Sequence, residues 1–537
     1  MAKVKILRGL IALSFCSILI KILIDLYGFS SSLLHSNITP FTLTSLAFII
    51  SCYLSKKDNS MPINLKIIIP FNISLLLIMP FLLIDIAFGN SHIFAIATTL
   101  KTIDTISLIN IAMNDFLDLI VEGVMLWIIF SVSSIYLISR INNFKYILAS
   151  ITIFFITFNP ITISLSDLLF FSGPQDKVDL VKDLKGVTID ETMGSKKNLV
   201  HIYLESMERS YAQISTTKTS FDYFSELEKR GLSFTNISQV FGTHFTAAGL
   251  VASQCGVPLL PNGIFDYKNK IHENTSRDFG NQEDQFMSGV VCLGDILKRE
   301  GYFLSYMNGS SLEIFSKGKL FLSHGYDHVF GINSLVDSAN ESRQNKWGLD
   351  DSYIFEKAEN EIEKLSKSGK PFALTMLTIG THGPDAYLDD TCEDFVVEES
   401  YIPAAIKCTA KHVKSLLDKI ESLGIMEDTI VVIQSDHLAM KNTLYDQLQA
   451  IGPEKRRNYF VILGTNQKKE INTMSTPFDI YPTILEVMEF KPKARTANLG
   501  ISMLSNKKKL AEIYGIEMIS SSLKNNVKFQ ELMWADD

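Results

Sequence analysis

Two segments lying far apart in the chain constrain its fold more than any other feature. NLVHIYLES carries Glu205 at its end, and TIVVIQSDH ends on Asp436 and His437. Each is an apolar, β-branched run that stops at side chains able to ligate a metal. A parallel sheet buried on both faces reads this way, and it delivers residues to the carboxyl ends of its strands.

The same alternation continues between and beyond them. The pattern predicts strands over 199–204, 303–307, 372–379, 429–435 and 459–463, and helices over 222–230, 246–254, 292–300, 351–367, 402–423 and 479–489. Strands alternating with helices predict an α/β domain with a mostly parallel central sheet covered on both faces.

The N-terminal part is different in kind. Apolar segments at roughly 6–27, 38–55, 66–88, 117–139 and 145–165 have the length or apolarity of membrane spans. Lys3, Lys5 and Arg8 precede the first. Lys56, Lys57 and Lys66 lie between the second and third, and Arg140 and Lys145 flank the junction of the last two. The positive-inside rule then predicts a cytoplasmic N-terminus. About five helices leave the remainder outside the cytoplasmic membrane. The expected organisation is a transmembrane domain over 1–167, a juxtamembrane linker over 168–197, the α/β domain over 198–490 and a C-terminal extension over 491–537. GPQDKVDLVKDLKG, within the linker, predicts an amphipathic helix on the membrane surface.

Charge and cysteines agree with that placement. Residues 1–170 carry 10 Lys/Arg against 8 Asp/Glu, and the rest 40 against 50. An acidic outer domain argues against nucleic acid as a partner. Its four cysteines, Cys255, Cys292, Cys392 and Cys408, are an even number, which predicts two disulfides in an oxidising compartment. Of the three pairings, Cys255–Cys292 and Cys392–Cys408 are favoured, because each encloses an insertion.

The candidate chemistry gathers at the strand ends. Glu205 offers oxygen ligands, and Asp436 with His437 offers oxygen and nitrogen, a set suited to manganese or zinc, with magnesium possible. Thr246, in GTHFTAAGLVASQCG, starts a helix whose positive end and amides favour a phosphate. A threonine hydroxyl becomes a nucleophile once a bound divalent ion lowers its pKa. His382, in LTIGTHGPD, follows another strand end and can bind a phosphoryl oxygen or assist a leaving group. Trp347, in NKWGLDD, can wall the substrate pocket. His324, Asp327 and His328 read as a turn near the site.

These residues, with the motifs LVHIYLESMERSY, GTHFTAAGLVASQCGVPL, VCLGDILKREGY, SHGYDHVFG, WGLDDS, LTIGTHGPD and IVVIQSDHLAMKNT, resemble the phosphoglycerol transferases. That family is similar to lipoteichoic acid synthases, within the alkaline phosphatase and sulfatase superfamily. The resemblance spans roughly residues 198–490. It implies that Glu205, Thr246, Asp436 and His437 surround a divalent ion, most often Mn2+, with Mg2+ or Zn2+ possible. It implies that Thr246 attacks phosphatidylglycerol, releases diacylglycerol and forms a glycerophosphoryl-threonine. An extracytoplasmic glycan hydroxyl then takes the group. His382 and, more loosely, Trp347 match substrate-binding positions.

Two departures bear on the expectation. The family's long members carry a large region after the catalytic domain, so the acceptor expected here includes lipopolysaccharide, O-antigen and capsule as well as a periplasmic glucan. Where the family reads GTDYT this chain reads GTHFT, which puts His244 beside the nucleophile. Two alternatives stay open on the residues: a phosphoethanolamine transferase acting on lipid A or a glycan, and a catalytically silent membrane sensor or glycan-binding protein.

Overall fold

A computed structural model describes residues 67–77, 79, 117–140, 144–157, 178–192, 196–260, 286–336, 343–345, 347–383, 385–395, 401–524 and 526–534. The chain divides into two compact units, Met1–Ile93 with Ile109–Gly173, and Phe94–Leu108 with Pro174–Asp537.

In the first unit, residues 67–77 are helical, as are Leu117–Arg140 and Phe144–Thr157. The Trp127 indole donates to the Asn72 carbonyl at 3.4 Å, and the Ser131 hydroxyl donates to the Asn72 side chain. Among the described residues no helix is long and apolar enough to cross a membrane. Of the five expected spans, 6–27 and 38–55 lie outside the described residues, and 66–88 and 145–165 are described in part. The expected span 117–139 falls within Leu117–Arg140.

The second unit is built on eight strands: β1 Asn198–Leu204, β2 Leu232–Phe234, β3 Phe303–Asn308, β4 His328–Phe330, β5 Phe372–Leu377, β6 Thr429–Ser435, β7 Phe460–Leu463 and β8 Lys469–Ile471. Their order is β8-β2-β7-β6-β1-β5-β3-β4. Strand β7 alone runs against its neighbours, antiparallel to β6 and to β2. The other contacts are parallel.

Successive residues of a strand face opposite sides, and each side is apolar. Leu199 and Tyr203 join a core with the helices Thr246–Cys255, Leu293–Arg299 and Ile480–Val487. Val200, Ile202 and Leu204 join another, with Asp222–Arg230, Asp351–Ser366 and Tyr401–Ser422. The sheet is therefore the middle of three layers, as a strand buried on both faces requires.

The register decides where the site falls. Leu204 is level with Ser435 on β6, and Tyr203 with Leu377 on β5. The residues that follow these three central strands, Glu205, Asp436 and Thr378 onward, thus emerge together at one edge.

Over its described part, 178–186, the expected amphipathic surface helix is absent. Only the short turn Leu180–Lys182 forms, and Leu180 is buried in the core. Lys185 then bridges Asn498, and Ile189–Thr192 pairs with Phe490–Pro492, so the segment spends its backbone hydrogen bonds on the domain. Described residues of the C-terminal segment join the core as well. Leu523, Phe529 and Met533 are fully buried, and Gly289 meets the Leu532 carbonyl so closely that a Cβ there would lie 2.0 Å from it.

Disulfides join Cys255 to Cys292 and Cys392 to Cys408. The first ties the C-terminal end of the Thr246 helix to the start of the next, across 37 residues. Closing a loop of that size stabilises the fold by about 4 kcal/mol in the chain-entropy account. A Cys255→Ser/Cys292→Ser protein is expected to lose roughly 2–5 kcal/mol of stability. Thermal melts with and without reductant check this, since only the parent protein should respond to reduction of this bond.

Candidate active site

Glu205 is the first residue beyond β1, and the turn that holds it is set by threonines from the β5 end. Thr378 Oγ1 accepts the Glu205 N–H at 3.0 Å, and the Thr381 hydroxyl donates to the Glu205 carbonyl. Ser206 follows with φ of 52°, a left-handed conformation that a non-glycine residue adopts at a cost. It turns the chain so that the Ser206 N–H reaches Asp436.

Asp436 leaves β6 with one oxygen used and one bare. Oδ1 accepts the N–H groups of Ser206 at 2.9 Å and His437 at 2.8 Å. Oδ2 is buried and makes no hydrogen bond. His437 is fixed in the same manner. Its Nδ1–H donates to the Leu438 carbonyl at 2.8 Å, which leaves the Nε2 lone pair as the free end of the ring. That Nε2 is buried without a hydrogen-bond partner, 3.3 Å from Glu205 Oε1 and 3.3 Å from Asp436 Oδ2.

Three lone-pair atoms thus face one another out of water. Ligand atoms of Glu205, Asp436 and His437 lie within 4.8 Å of each other. Only a proton or a cation relieves such a convergence. Burial pushes the Asp436 carboxyl up to about 8, with the charge of Glu205 adding to it. Burial also works against ionisation of Glu205, yet the imidazoles of His382 and His437 hold its carboxyl well below the usual range. Burial opposes a charge on His437 too, but Asp436 and Glu205 raise it to about 9. Two oxygen ligands and one tautomer-fixed imidazole, each with an open lone pair, fit a divalent ion of the manganese, zinc or magnesium type.

Thr246 completes the cluster. It is the first residue of the helix Thr246–Cys255, and Phe245, extended, is the cap. The hydroxyl does not cap the helix; it donates to Glu205 Oε2 at 3.3 Å. The helix can come this close because Gly249 lacks a side chain: a Cβ there would lie 1.9 Å from the Asp436 carbonyl oxygen. Gly249→Ala is expected to cost roughly 1–3 kcal/mol by overpacking. It should also weaken Mn2+ binding, because the helix or Asp436 must move. Melting temperature and a manganese titration on the same sample check both.

His382 and Trp347 stand together. Their rings lie 4.0 Å apart, centroid to centroid. His382 is buried, and its Nδ1–H donates to the Gly383 carbonyl at 2.7 Å, so Nε2 is its exchangeable end. Burial lowers its pKa, partly offset by the charge of Glu205. Asp351 holds the strand-to-loop segment by accepting the N–H groups of Ile379 and Gly380 at 2.8 and 2.9 Å.

Two functional candidates escape sequence reasoning. Lys317 is buried, donates to Ser310 Oγ at 2.8 Å, and lies within the electrostatic reach of Glu205 and Asp436. Burial pushes it down to about 8 against the pull of those two carboxylates. Phe315 and Ser316, at φ of 57° and 55°, lead into it through two successive left-handed residues. Nothing in SKGK separates Lys317 from its exposed neighbour Lys319. Glu208 and Arg456 form a buried pair, with Nε–Oε1 at 3.0 Å. Glu208 also accepts the Ala439 N–H at 2.9 Å, which anchors the turn after His437.

The turn His324–His328 stays outside the cluster. His324 bonds Asp295 at 2.8 Å and the Phe286 carbonyl at 2.9 Å. Asp327 pairs with Lys298, and His328 lies 3.4 Å from Glu361. Their side chains hold the fold together here.

The family model named Sulfatase matches residues 197–490, more than half of the chain. The chain belongs to the sulfatase family. Its relatives include proteins named phosphoglycerol transferase I from Shigella flexneri and from Escherichia coli strain SMS-3-5, each 32% identical over 348 residues. The match covers 64% of this chain and 42% of each relative, so the chain spans less than half of their length. A protein of the alkaline phosphatase superfamily from Vibrio parahaemolyticus is similar in structure, with a TM-score of 0.48 and 21% identity. That likeness covers 65% of this chain and 80% of the other. A lipoteichoic acid synthase from Listeria monocytogenes has a TM-score of 0.46 and 17% identity, over 61% of this chain and 81% of its own. The sulfatase-like α/β fold agrees with the expectation drawn from the strand-end motifs.

Proposed function

We propose that this sulfatase-family chain is a membrane-bound phosphoglycerol transferase. It moves glycerophosphate from phosphatidylglycerol to a hydroxyl of an extracytoplasmic glycan through a glycerophosphoryl-Thr246 intermediate. The observation that carries the reading is the Thr246 hydroxyl, 3.3 Å from Glu205 within a buried carboxylate–carboxylate–imidazole cluster. The identity to proteins named phosphoglycerol transferase I supports the choice of substrate.

Glu205, Asp436, His437 and the Thr246 hydroxyl would hold the divalent ion, Mn2+ foremost. When bound, the ion supplies a Lewis acid that lowers the hydroxyl pKa and neutralises phosphoryl charge. The residues do the rest. Thr246 gives its proton to solvent as its oxygen bonds to phosphorus. The bond from phosphorus to the diacylglycerol oxygen breaks, and His382, protonated at Nε2 for this step, delivers that proton to the oxygen. An acceptor hydroxyl then gives its proton back to His382 as its oxygen attacks phosphorus, the bond from phosphorus to Thr246 breaks, and the Thr246 oxygen takes a proton from solvent. Lys317 binds a non-bridging phosphoryl oxygen, and Trp347 walls the glycerol side.

The exposed apolar stripe of the helix Leu117–Arg140 supports a membrane location. Val121, Val124, Met125, Ile128, Ile129, Val132 and Ile135 are each 42–61% exposed. The domain plan is a membrane region over 1–167 followed by a catalytic domain over 198–490, into which residues 180–192 and the described residues beyond 490 also pack. In this plan the catalytic domain faces outward from the inner membrane. Tethering it beside a lipid donor raises the effective donor concentration.

The test is diacylglycerol release by the detergent-purified chain with Mn2+, from phosphatidylglycerol and from phosphatidylethanolamine in parallel. Release from phosphatidylglycerol alone supports the proposal. Release from phosphatidylethanolamine alone makes the chain a phosphoethanolamine transferase. No release from either points to a silent sensor or glycan-binding protein. In the active case Lys317→Met should lower kcat/KM by about 10²-fold, the loss of one buried cation at a charged transition state. Steady-state kinetics with phosphatidylglycerol reads it.

A further inference from the structure

A second cluster of ligand-type side chains lies on the other face of the sheet. Helix Tyr401–Ser422 places Cys408 and His412 one turn apart on the same side. The short turn Asp390–Phe395 brings Cys392 against them, with Asp389 just before it. All four residues are buried. His412 Nε2 is 2.9 Å from Asp389 Oδ2, 3.4 Å from Cys408 Sγ and 4.0 Å from Cys392 Sγ, and Cys408 Sγ is 3.7 Å from Asp389 Oδ2. One carboxylate oxygen, one imidazole nitrogen and two sulfurs thus point at a common centre.

Tetrahedral zinc, with ligands at about 2.0–2.3 Å, needs those ligands roughly 3.3–3.8 Å apart. The observed separations bracket that spacing, and the two sulfurs reach it once they are no longer bonded. The surroundings fit as well. The N–H groups of Ser352 and Thr391 donate to Asp389 at 3.2 and 3.1 Å, and the Phe355 ring stacks on His412. Such outer contacts orient ligands.

We propose that, with the Cys392–Cys408 bond reduced, Asp389, Cys392, Cys408 and His412 form a zinc site. The two segments are then joined by a disulfide under oxidising conditions and by the metal under reducing ones. An external dithiol supplies the two electrons and two protons that convert the disulfide to two thiols, and itself becomes a disulfide. Zinc then displaces both thiol protons and binds two thiolates, the neutral His412 Nε2 and the Asp389 carboxylate. The linkage has a consequence for the active site. Asp351, beside Ser352, holds the Ile379 and Gly380 amides ahead of His382, so either bond braces that segment.

The test uses the full chain in detergent, reduced with a phosphine and titrated with Co2+ as the probe. The background carries Cys16→Ser, Cys52→Ser, Cys255→Ser and Cys292→Ser, which leaves Cys392 and Cys408 as the two remaining cysteines. The Glu205 cluster holds no sulfur, so it gives no thiolate-to-cobalt band. The expected result is one equivalent of tetrahedral cobalt with a thiolate charge-transfer band. It should be absent before reduction, and cobalt should bind at least about tenfold more weakly in His412→Ala. A folded, reduced protein without the band would overturn the proposal. So would a band unchanged in both His412→Ala and Asp389→Asn. If the serine background does not fold, alkylation of the reduced parent chain is read on the peptides holding Cys392 and Cys408. Zinc should slow both at least about tenfold by occupying the thiolates, and equal rates with and without zinc would refute the site.

Discussion

Thr246→Ala is expected to abolish diacylglycerol release, lowering kcat by roughly 10³- to 10⁶-fold, as loss of a catalytic nucleophile does. The fold should survive. The change removes one hydroxyl whose hydrogen bond to Glu205 is 3.3 Å long, worth about 1 kcal/mol. Helix formation is not threatened either, because Phe245 and not Thr246 is the cap. Thr246→Ser keeps the oxygen and loses a methyl group. It should retain turnover within roughly 100-fold of the parent, since the nucleophile remains but its rotamer is less fixed. A folded alanine protein with unchanged turnover would move the nucleophile elsewhere.

The second large effect concerns the cation. Chelation should stop turnover, and Mn2+ should restore it. The same ion should raise the melting temperature, because a ligand bound only by the folded state at about 1,000 times its Kd adds about 4 kcal/mol. Asp436→Asn separates binding from folding. The amide oxygen still accepts from Ser206 and His437, as Oδ1 does at 2.9 and 2.8 Å, so the turn persists. The bare Oδ2 is replaced by an NH2 group that cannot ligate. The variant should fold without metal as well as the parent or better, since a buried carboxyl beside Glu205 is removed. Its melting temperature should no longer rise with Mn2+, and turnover should fall by at least about 10³-fold, given the several kcal/mol a metal supplies to the transition state. A manganese-dependent rise equal to that of the parent would contradict the ligand set.

Much of this geometry is legible in the chain because the strands that carry it are buried on both faces. A mainly apolar run that ends at Glu205 or, just past Gln434 and Ser435, at Asp436 marks both a central strand and its functional end. Helix periodicity located Asp222–Arg230, Asp351–Ser366 and Tyr401–Ser422 to within a residue or two of the expected bounds. Strands β2, β4 and β8, at or next to the edges of the sheet, have three residues each, too few for a period to show. The reversal of β7 is invisible because a strand buried on both faces reads the same in either direction. Lys317 and the Glu208–Arg456 pair become special only through tertiary contacts, the latter across 248 residues. The described part of GPQDKVDLVKDLKG departs from its pattern for a related reason: the amphipathic spacing fits a helix, but Lys185 bridges Asn498 and the Val178 N–H donates to Ser522 Oγ, partners far off in the sequence.

The central claim is a covalent intermediate on one hydroxyl. The most direct measurement is peptide mass spectrometry of the detergent-purified chain after incubation with phosphatidylglycerol and Mn2+, without acceptor. The account predicts a glycerophosphoryl group on the peptide containing Thr246, absent in Thr246→Ala and lost when a competent glycan acceptor is added. Diacylglycerol release without any adduct on Thr246, or an adduct on another residue that persists in Thr246→Ala, would contradict it.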